Sequence, residues 1–171
     1  MKALLIIDML RDFIYEDGAL TVGQVGKAII EPIKAKIEKF REEGNQIFYI
    51  CDNHAKDDRE FDMFHPHCIA DTPGAKIIDE LEVRKEDKII KKRRYSAFFG
   101  TDLDLNLREK DVEELYLVGV CTNICVLYTA ADARNLNYPV AIYKDCVASF
   151  DNEAHEFALK EAGTTLGCTI L

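Results

Sequence analysis

The N-terminal stretch of this 171-residue chain offers only five consecutive apolar residues, Ala3 to Ile7, before Asp8 interrupts them. That is too few for a signal-peptide core or a membrane span, so the chain is expected in the cytoplasm and away from the membrane. A basic face is also missing. Net charge is −9, and the one dense basic run is Lys91-Lys92-Arg93-Arg94, which argues against a nucleic-acid partner. The six cysteines, at 51, 68, 121, 125, 146 and 168, form neither a paired-knuckle zinc pattern nor a C-x-x-C redox motif. In a reducing cytosol most are expected to be small buried apolar residues. No repeat, low-complexity tract or linker interrupts the chain. With 48% apolar and 31% charged residues, residues 1–171 read as a single domain.

What is present is an alternation of short strands and helices. Ala3–Ile7, Gln46–Ile50, Lys88–Ile90, Leu115–Val118 and Val140–Tyr143 are apolar without a two-residue alternation, as strands buried on both faces are. A last short strand is expected near Cys168–Ile170. Ile30, Ile33, Ile37 and Phe40 repeat at helical spacing, with Pro32 near the first turns and Gly44 as the stop. Further helices are expected around Gly74–Glu82, Asp102–Glu109, Ile124–Asn137 and Asn152–Ala162. The pattern predicts a three-layer α/β/α sandwich, Rossmann-like, with a central and mostly parallel sheet of about six strands. Asp52 to Gly74 shows no periodicity, and a loop of that length in a compact domain is usually functional.

The segment Val118-Gly-Val-Cys-Thr-Asn-Ile-Cys-Val126 carries the strongest chemical signal. A buried strand ends there and a helix begins near Ile124. Cys125 is therefore expected in a first helical turn at the carboxyl end of a strand, where open α/β sheets bind ligands. Helix-start N–H groups would lower its pKa from ~8.5 and hold an oxyanion. Asp8 and Lys92 also stand just past apolar strand runs, so all three can converge. A thiol needs a base to take its proton and an acid to return one to a leaving amine. Singly, each residue has an ordinary structural explanation: a buried cysteine, a turn cap, a member of a solvated basic run. Together they read as a nucleophile, a base and an electrostatic partner.

Those residues resemble the isochorismatase-like cysteine hydrolases, whose triad runs Asp, Lys, Cys along the chain. The matching strings are Leu5-Ile-Ile-Asp-Met-Leu-Arg-Asp-Phe13, Lys92-Arg-Arg-Tyr-Ser-Ala-Phe98, Val118–Val126 and Thr129-Ala-Ala-Asp-Ala133. The resemblance implies that family's fold, a cis Val120–Cys121 peptide and an oxyanion hole made by the backbone N–H groups of Cys121 and Cys125. It also implies a homo-oligomer.

Three of the four histidines, His54, His65 and His67, fall in the long loop among Asp52, Asp57, Asp58, Glu60 and Asp62. Mixed imidazole and carboxylate donors suit divalent Zn, Mn or Fe. The string Cys51-Asp-Asn-His54, then Glu60, then Phe64-His-Pro-His-Cys68 resembles the metal site of nicotinamidases (pyrazinamidases). It maps the ligands onto Asp52, His54, Glu60 and His67. Because the stretch between His54 and Glu60 is shorter than in several relatives, Asp57 or Asp58 is an alternative to Glu60, and His65, beside His67, is a competitor for the metal. The resemblance implies one divalent metal, Zn first, and hydrolysis of nicotinamide to nicotinate and ammonia through a Cys125 thioester, with Phe13, Phe64 and Tyr95 against the ring. The alternative substrate is another small amide or ureido compound.

Overall fold

The computed structural model describes residues 1–171. Six strands form one sheet: β1 (Lys2–Ile7), β2 (Gln46–Asp52), β3 (Lys88–Lys92), β4 (Glu114–Val120), β5 (Val140–Ala148) and β6 (Thr169–Ile170). Their order is β3-β2-β1-β4-β5-β6, and every neighbouring pair is parallel. The helices are α1 (Arg11–Ile14), α2 (Gln24–Ala28), α3 (Ile30–Glu42), α4 (Leu103–Glu109), α5 (Leu127–Asn135) and α6 (Asn152–Thr164).

Burial on both faces explains the unbroken apolar runs of β1, β2 and β4, whereas β3, expected to be buried in the same way, is an edge strand that leaves Ile89 exposed. Ala3, Leu5 and Ile7 point to one side of β1 and join Phe48, Ile50, Leu115 and Leu117 against Leu103, Leu107, Val126 and Ala130. Leu4 and Ile6 point to the other side and pack with Tyr49 and Val118 against Ile33, Ile37 and Phe40 of α3. Successive side chains on a strand face opposite ways, so one run of apolar residues supplies two cores. The result is the expected three-layer sandwich.

The strand order reverses direction between β1 and β4, and such a switch point opens a crevice at the carboxyl ends of the strands. The two strands come close there. Gly119, paired with Ile7, has φ 111°, and a Cβ on it would lie 2.0 Å from the Ile7 carbonyl oxygen. Only glycine fits.

Two expectations about elements are corrected. No helix covers 74–82: a single 3₁₀ turn at Pro73–Ala75 is followed by an isolated antiparallel bridge from Ile77 to Leu10 and a turn at residues 79–80. The Arg11 N–H donates to the Lys76 carbonyl at 2.9 Å and the Ile78 N–H to the Met9 carbonyl at 3.1 Å, so this backbone is taken up by the segment after β1. Ile78 and Leu81 are buried on either side of that turn, the Leu81 N–H donating to the Ile78 carbonyl at 3.2 Å. The second correction concerns the nucleophile segment. A π-helical turn spans Thr122–Val126, and α5 begins only at Leu127. Extra-wide turns of this kind are frequent at functional sites.

Candidate active site

Parallel register brings the first cluster together. Ile7 pairs with both Ile50 and Gly119, and Asp52 pairs with Lys92, so the residues just past these positions share one end of the sheet. Asp8 follows Ile7 with φ 52°, a left-handed conformation uncommon outside glycine and typical of strained functional positions. Its N–H still donates to the Ile50 carbonyl at 2.9 Å. Its Oδ1 accepts the Asp52 N–H at 2.9 Å, which leaves Oδ2 aimed at the Lys92 ammonium, also at 2.9 Å.

Lys92 is fully buried and is the hub of the cluster. Its Nζ donates to Asp52 Oδ1 in a short bond, faces Asp8, and lies 3.4 Å from Cys125 Sγ. Burial works against its charge, but Asp52 and Asp8 outweigh burial and hold its pKa well above the ordinary range. Asp52 is held well below the ordinary carboxylate range because Lys92, His54 and His67 outweigh its own burial. Asp8 is pushed up to about 6 by burial and by the charge of Asp52, against the pull of Lys92.

The expected lowering of the Cys125 pKa is not what the site provides. Burial pushes this thiol well up, Lys92 opposes that rise, and Asp8 adds to it. Burial also raises the other five cysteines, so acidity does not single out Cys125. Its neighbours do. Cys125 rests as a thiol beside a carboxylate of raised basicity, an arrangement suited to deprotonation on demand. The Val120–Cys121 peptide is cis, as the resemblance implied.

The second cluster starts at the same β2 end. Asp52 Oδ2 lies 3.5 Å from His54 Nε2 and 3.7 Å from His67 Nε2. The donor atoms of Asp52, His54 and His67 fall within 4.8 Å of one another, so the three could hold a metal ion. Glu60 stands at the edge, its Oε1 3.9 Å from His54 Nε2. His67 Nδ1 meets the His65 carbonyl at 2.7 Å. A carbonyl only accepts, so this contact puts the proton on Nδ1 and turns the Nε2 lone pair inward. His54 Nε2 and Glu60 Oε2 are buried without a hydrogen-bond partner. Buried polar groups are rarely left so, and a divalent cation fits two imidazoles and two carboxylates. A second acidic group, Asp8, Asp52 and Cys125, is also close enough to ligate, but the Lys92 ammonium sits among its members.

The alternative ligands are excluded by placement. Asp57 is exposed, and Asp58 meets His54 from behind, at Nδ1. His65 turns its side chain to solvent and contributes only its carbonyl. Phe13, Phe64 and Tyr95 line one cleft with Asp52, Glu60, His67, Cys121 and Cys125. Leu20, Ile124 and Phe150 share that cleft and had no distinguishing signal in the sequence. Asp12 was also missed as a supporting residue. Its Oδ2 accepts the Cys68 N–H at 2.7 Å and so anchors the loop beside His67. Its place in the Leu5–Phe13 string, four residues past Asp8, was the available hint.

The geometry has counterparts among known proteins. The Isochorismatase domain family matches residues 2–170. A pyrazinamidase/nicotinamidase from Streptococcus mutans is 41% identical, with a TM-score of 0.95 and full coverage of both chains. The nicotinamidase/pyrazinamidase PncA of Bacillus subtilis is 40% identical, with a TM-score of 0.93 over 99% of this chain and 98% of that one. A pyrazinamidase of Pyrococcus horikoshii, solved in complex with zinc, is 35% identical with a TM-score of 0.92, at the same coverage. With the family match running from the first strand to the last, this chain belongs to the isochorismatase family of hydrolases.

Proposed function

We propose that residues 1–171 work as a single cytoplasmic hydrolase domain, assembled as a homo-oligomer, that converts nicotinamide to nicotinate and ammonia. The observation that carries this reading is the shared cleft. Cys125 lines it together with Asp52, Glu60 and His67 and with the rings of Phe13, Phe64 and Tyr95. A cysteine nucleophile alone would suit many amides. A nucleophile that shares an aromatic-lined cleft with imidazole and carboxylate donors suits an amide on a ring that itself carries a ligand atom. All six cysteines are free and buried, in keeping with a reducing compartment.

In the proposed reaction Asp8 takes the thiol proton and Cys125 Sγ attacks the carboxamide carbon. Lys92, 3.4 Å from Sγ, stabilises the negative charge developing on sulfur and keeps the Asp8 carboxylate in place. The oxyanion falls to the backbone N–H groups of Cys121 and Cys125, and Asp8 returns its proton as ammonia leaves. A water then attacks the thioester while Asp8 accepts its proton. Nicotinate departs and the thiol is restored. Asp52, His54, Glu60 and His67 would hold the divalent ion, zinc first, which when bound would take the pyridine nitrogen and fix the ring. Phe13, Phe64 and Tyr95 limit the cleft to a flat ring. Ammonia release from nicotinamide, with and without chelator, tests the proposal. Release that chelation abolishes and added zinc restores supports it. Hydrolysis of another amide or ureido compound but not of nicotinamide overturns it.

A further inference from the structure

Asp58 lies outside every role described above, yet it is a fully buried carboxylate, and such groups need partners to remain charged. It has four sets. Its Oδ2 lies 3.1 Å from His54 Nδ1. Its Oδ1 accepts the Glu60 N–H at 3.1 Å, capping the 3₁₀ turn Arg59–Asp62. Arg94 Nη1 reaches both oxygens at 2.9 and 3.2 Å, and Arg93 Nε reaches Oδ2 at 3.2 Å. The two arginines follow Lys92 directly, so Asp58 also ties the metal loop to the end of β3.

The arginines alone would satisfy this charge at the surface. The contacts to His54 and Glu60 do something else. A carboxylate cannot donate, so it selects the Nδ1–H tautomer of His54 and leaves the Nε2 lone pair facing Asp52 and Glu60. By fixing the Glu60 N–H it also sets where the Glu60 side chain starts. We infer that Asp58 is the positioning residue of the metal site, orienting His54 through Nδ1 and Glu60 through its backbone. The inference rests on the metal reading of the proposed function and adds a residue that does not itself ligate. Outer partners of this kind usually contribute 10- to 100-fold in metal affinity.

The test is zinc affinity, measured by competition with a chromophoric chelator, in the wild type, Asp58→Asn, Asp58→Ala and the double variant Arg93→Gln/Arg94→Gln. Each metal-free protein is first checked for cooperative unfolding. Asp58→Ala should bind zinc about 10- to 100-fold more weakly. Asp58→Asn, which keeps the shape and one neutral acceptor, should fall between it and the wild type. The arginine double variant removes the ion pairs but spares the His54 contact, so it should melt earlier yet keep near-wild-type affinity. The visible spectrum of the cobalt-substituted protein should change for Asp58→Asn and not for the arginine variant. Wild-type affinity in both Asp58 variants overturns the inference. So does an equal loss in the arginine variant, which would make Asp58 a loop anchor only. A wild-type protein that takes no zinc fails the metal reading itself, and this inference with it.

Discussion

The two clusters share Asp52 but are held in opposite ways. Asp8, Lys92 and Cys125 stand at or just past the ends of β1, β3 and β4, and an ammonium lies among their charges. The His54, Glu60 and His67 cluster hangs on a loop and leaves two buried polar atoms without partners. Burial works against the charge of His54, but Asp52, Asp58 and Glu60 outweigh it and push its pKa up, so the loop cluster carries an excess of acid. The first cluster carries its own counter-charge, Lys92, which meets Asp8 Oδ2 as an ion pair although that oxygen has no hydrogen-bond partner, and it is built to move protons. The second is complete only around a cation. Asp52 joins them, with one oxygen on Lys92 and the other toward the two imidazoles.

The sharpest way to break that comparison is at sulfur. Cys125→Ala should lower turnover by ~10⁴-fold or more while leaving metal content unchanged, because it removes the nucleophile and no ligand. Steady-state ammonia release and metal analysis check both halves. Asp8→Asn comes next, with a loss of ~10²- to 10⁴-fold in kcat, as expected for a lost acid–base group. Asp8→Asn/Lys92→Met should be little worse than the poorer single variant, since the groups act as a unit. Additive losses would separate them. Lys92→Met should also destabilise the fold by roughly 3–5 kcal/mol in urea unfolding, because it strands Asp8 and Asp52 as buried, unpaired carboxylates.

The loop cluster should behave differently. His54→Ala or His67→Ala should release the metal yet leave the unfolding midpoint of the metal-free protein near wild type, since the two cores lie on the sheet. Added zinc should stabilise the wild type, by about 2.7 kcal/mol at a free concentration 100 times Kd, and should leave either variant unmoved. The smallest effect is expected from Glu60→Gln, which sits 3.9 Å from His54 Nε2 at the margin of the donor set. Its zinc affinity should fall less than that of either histidine variant.

Much of this was legible in the chain, and the misses have physical causes. The doubly buried strands could be read because a parallel sheet covered on both faces demands unbroken apolar runs. Their ends could not. β2 runs on to Asp52 and β3 to Lys92 because these polar residues are buried by one another rather than by apolar neighbours. The apolar run of β5 breaks after Tyr143 because three residues bulge out there: Leu117 pairs with Ile142, but Gly119 pairs with Val147. The spacing of Ile77, Ile78 and Leu81 imitated a helix, and only a backbone partner at Met9–Arg11, distant in sequence, decides against it. The donors of the long loop were visible as residue types. What spacing could not separate was Asp58 from Glu60, two residues apart, one behind His54 and one before it. The expected thiolate failed for a related reason, since burial depth cannot be read from a helix-start motif.

The central claim is that Cys125 attacks a carboxamide held in the cleft between the two clusters. It is tested most directly by acid-quenching the enzyme during turnover of nicotinamide and mapping the adduct by peptide mass spectrometry. The account predicts a nicotinoyl thioester on the peptide that carries Cys125, absent in Cys125→Ala. Ammonia release at the wild-type rate with no adduct on Cys125, or with the adduct on Cys121, would contradict it.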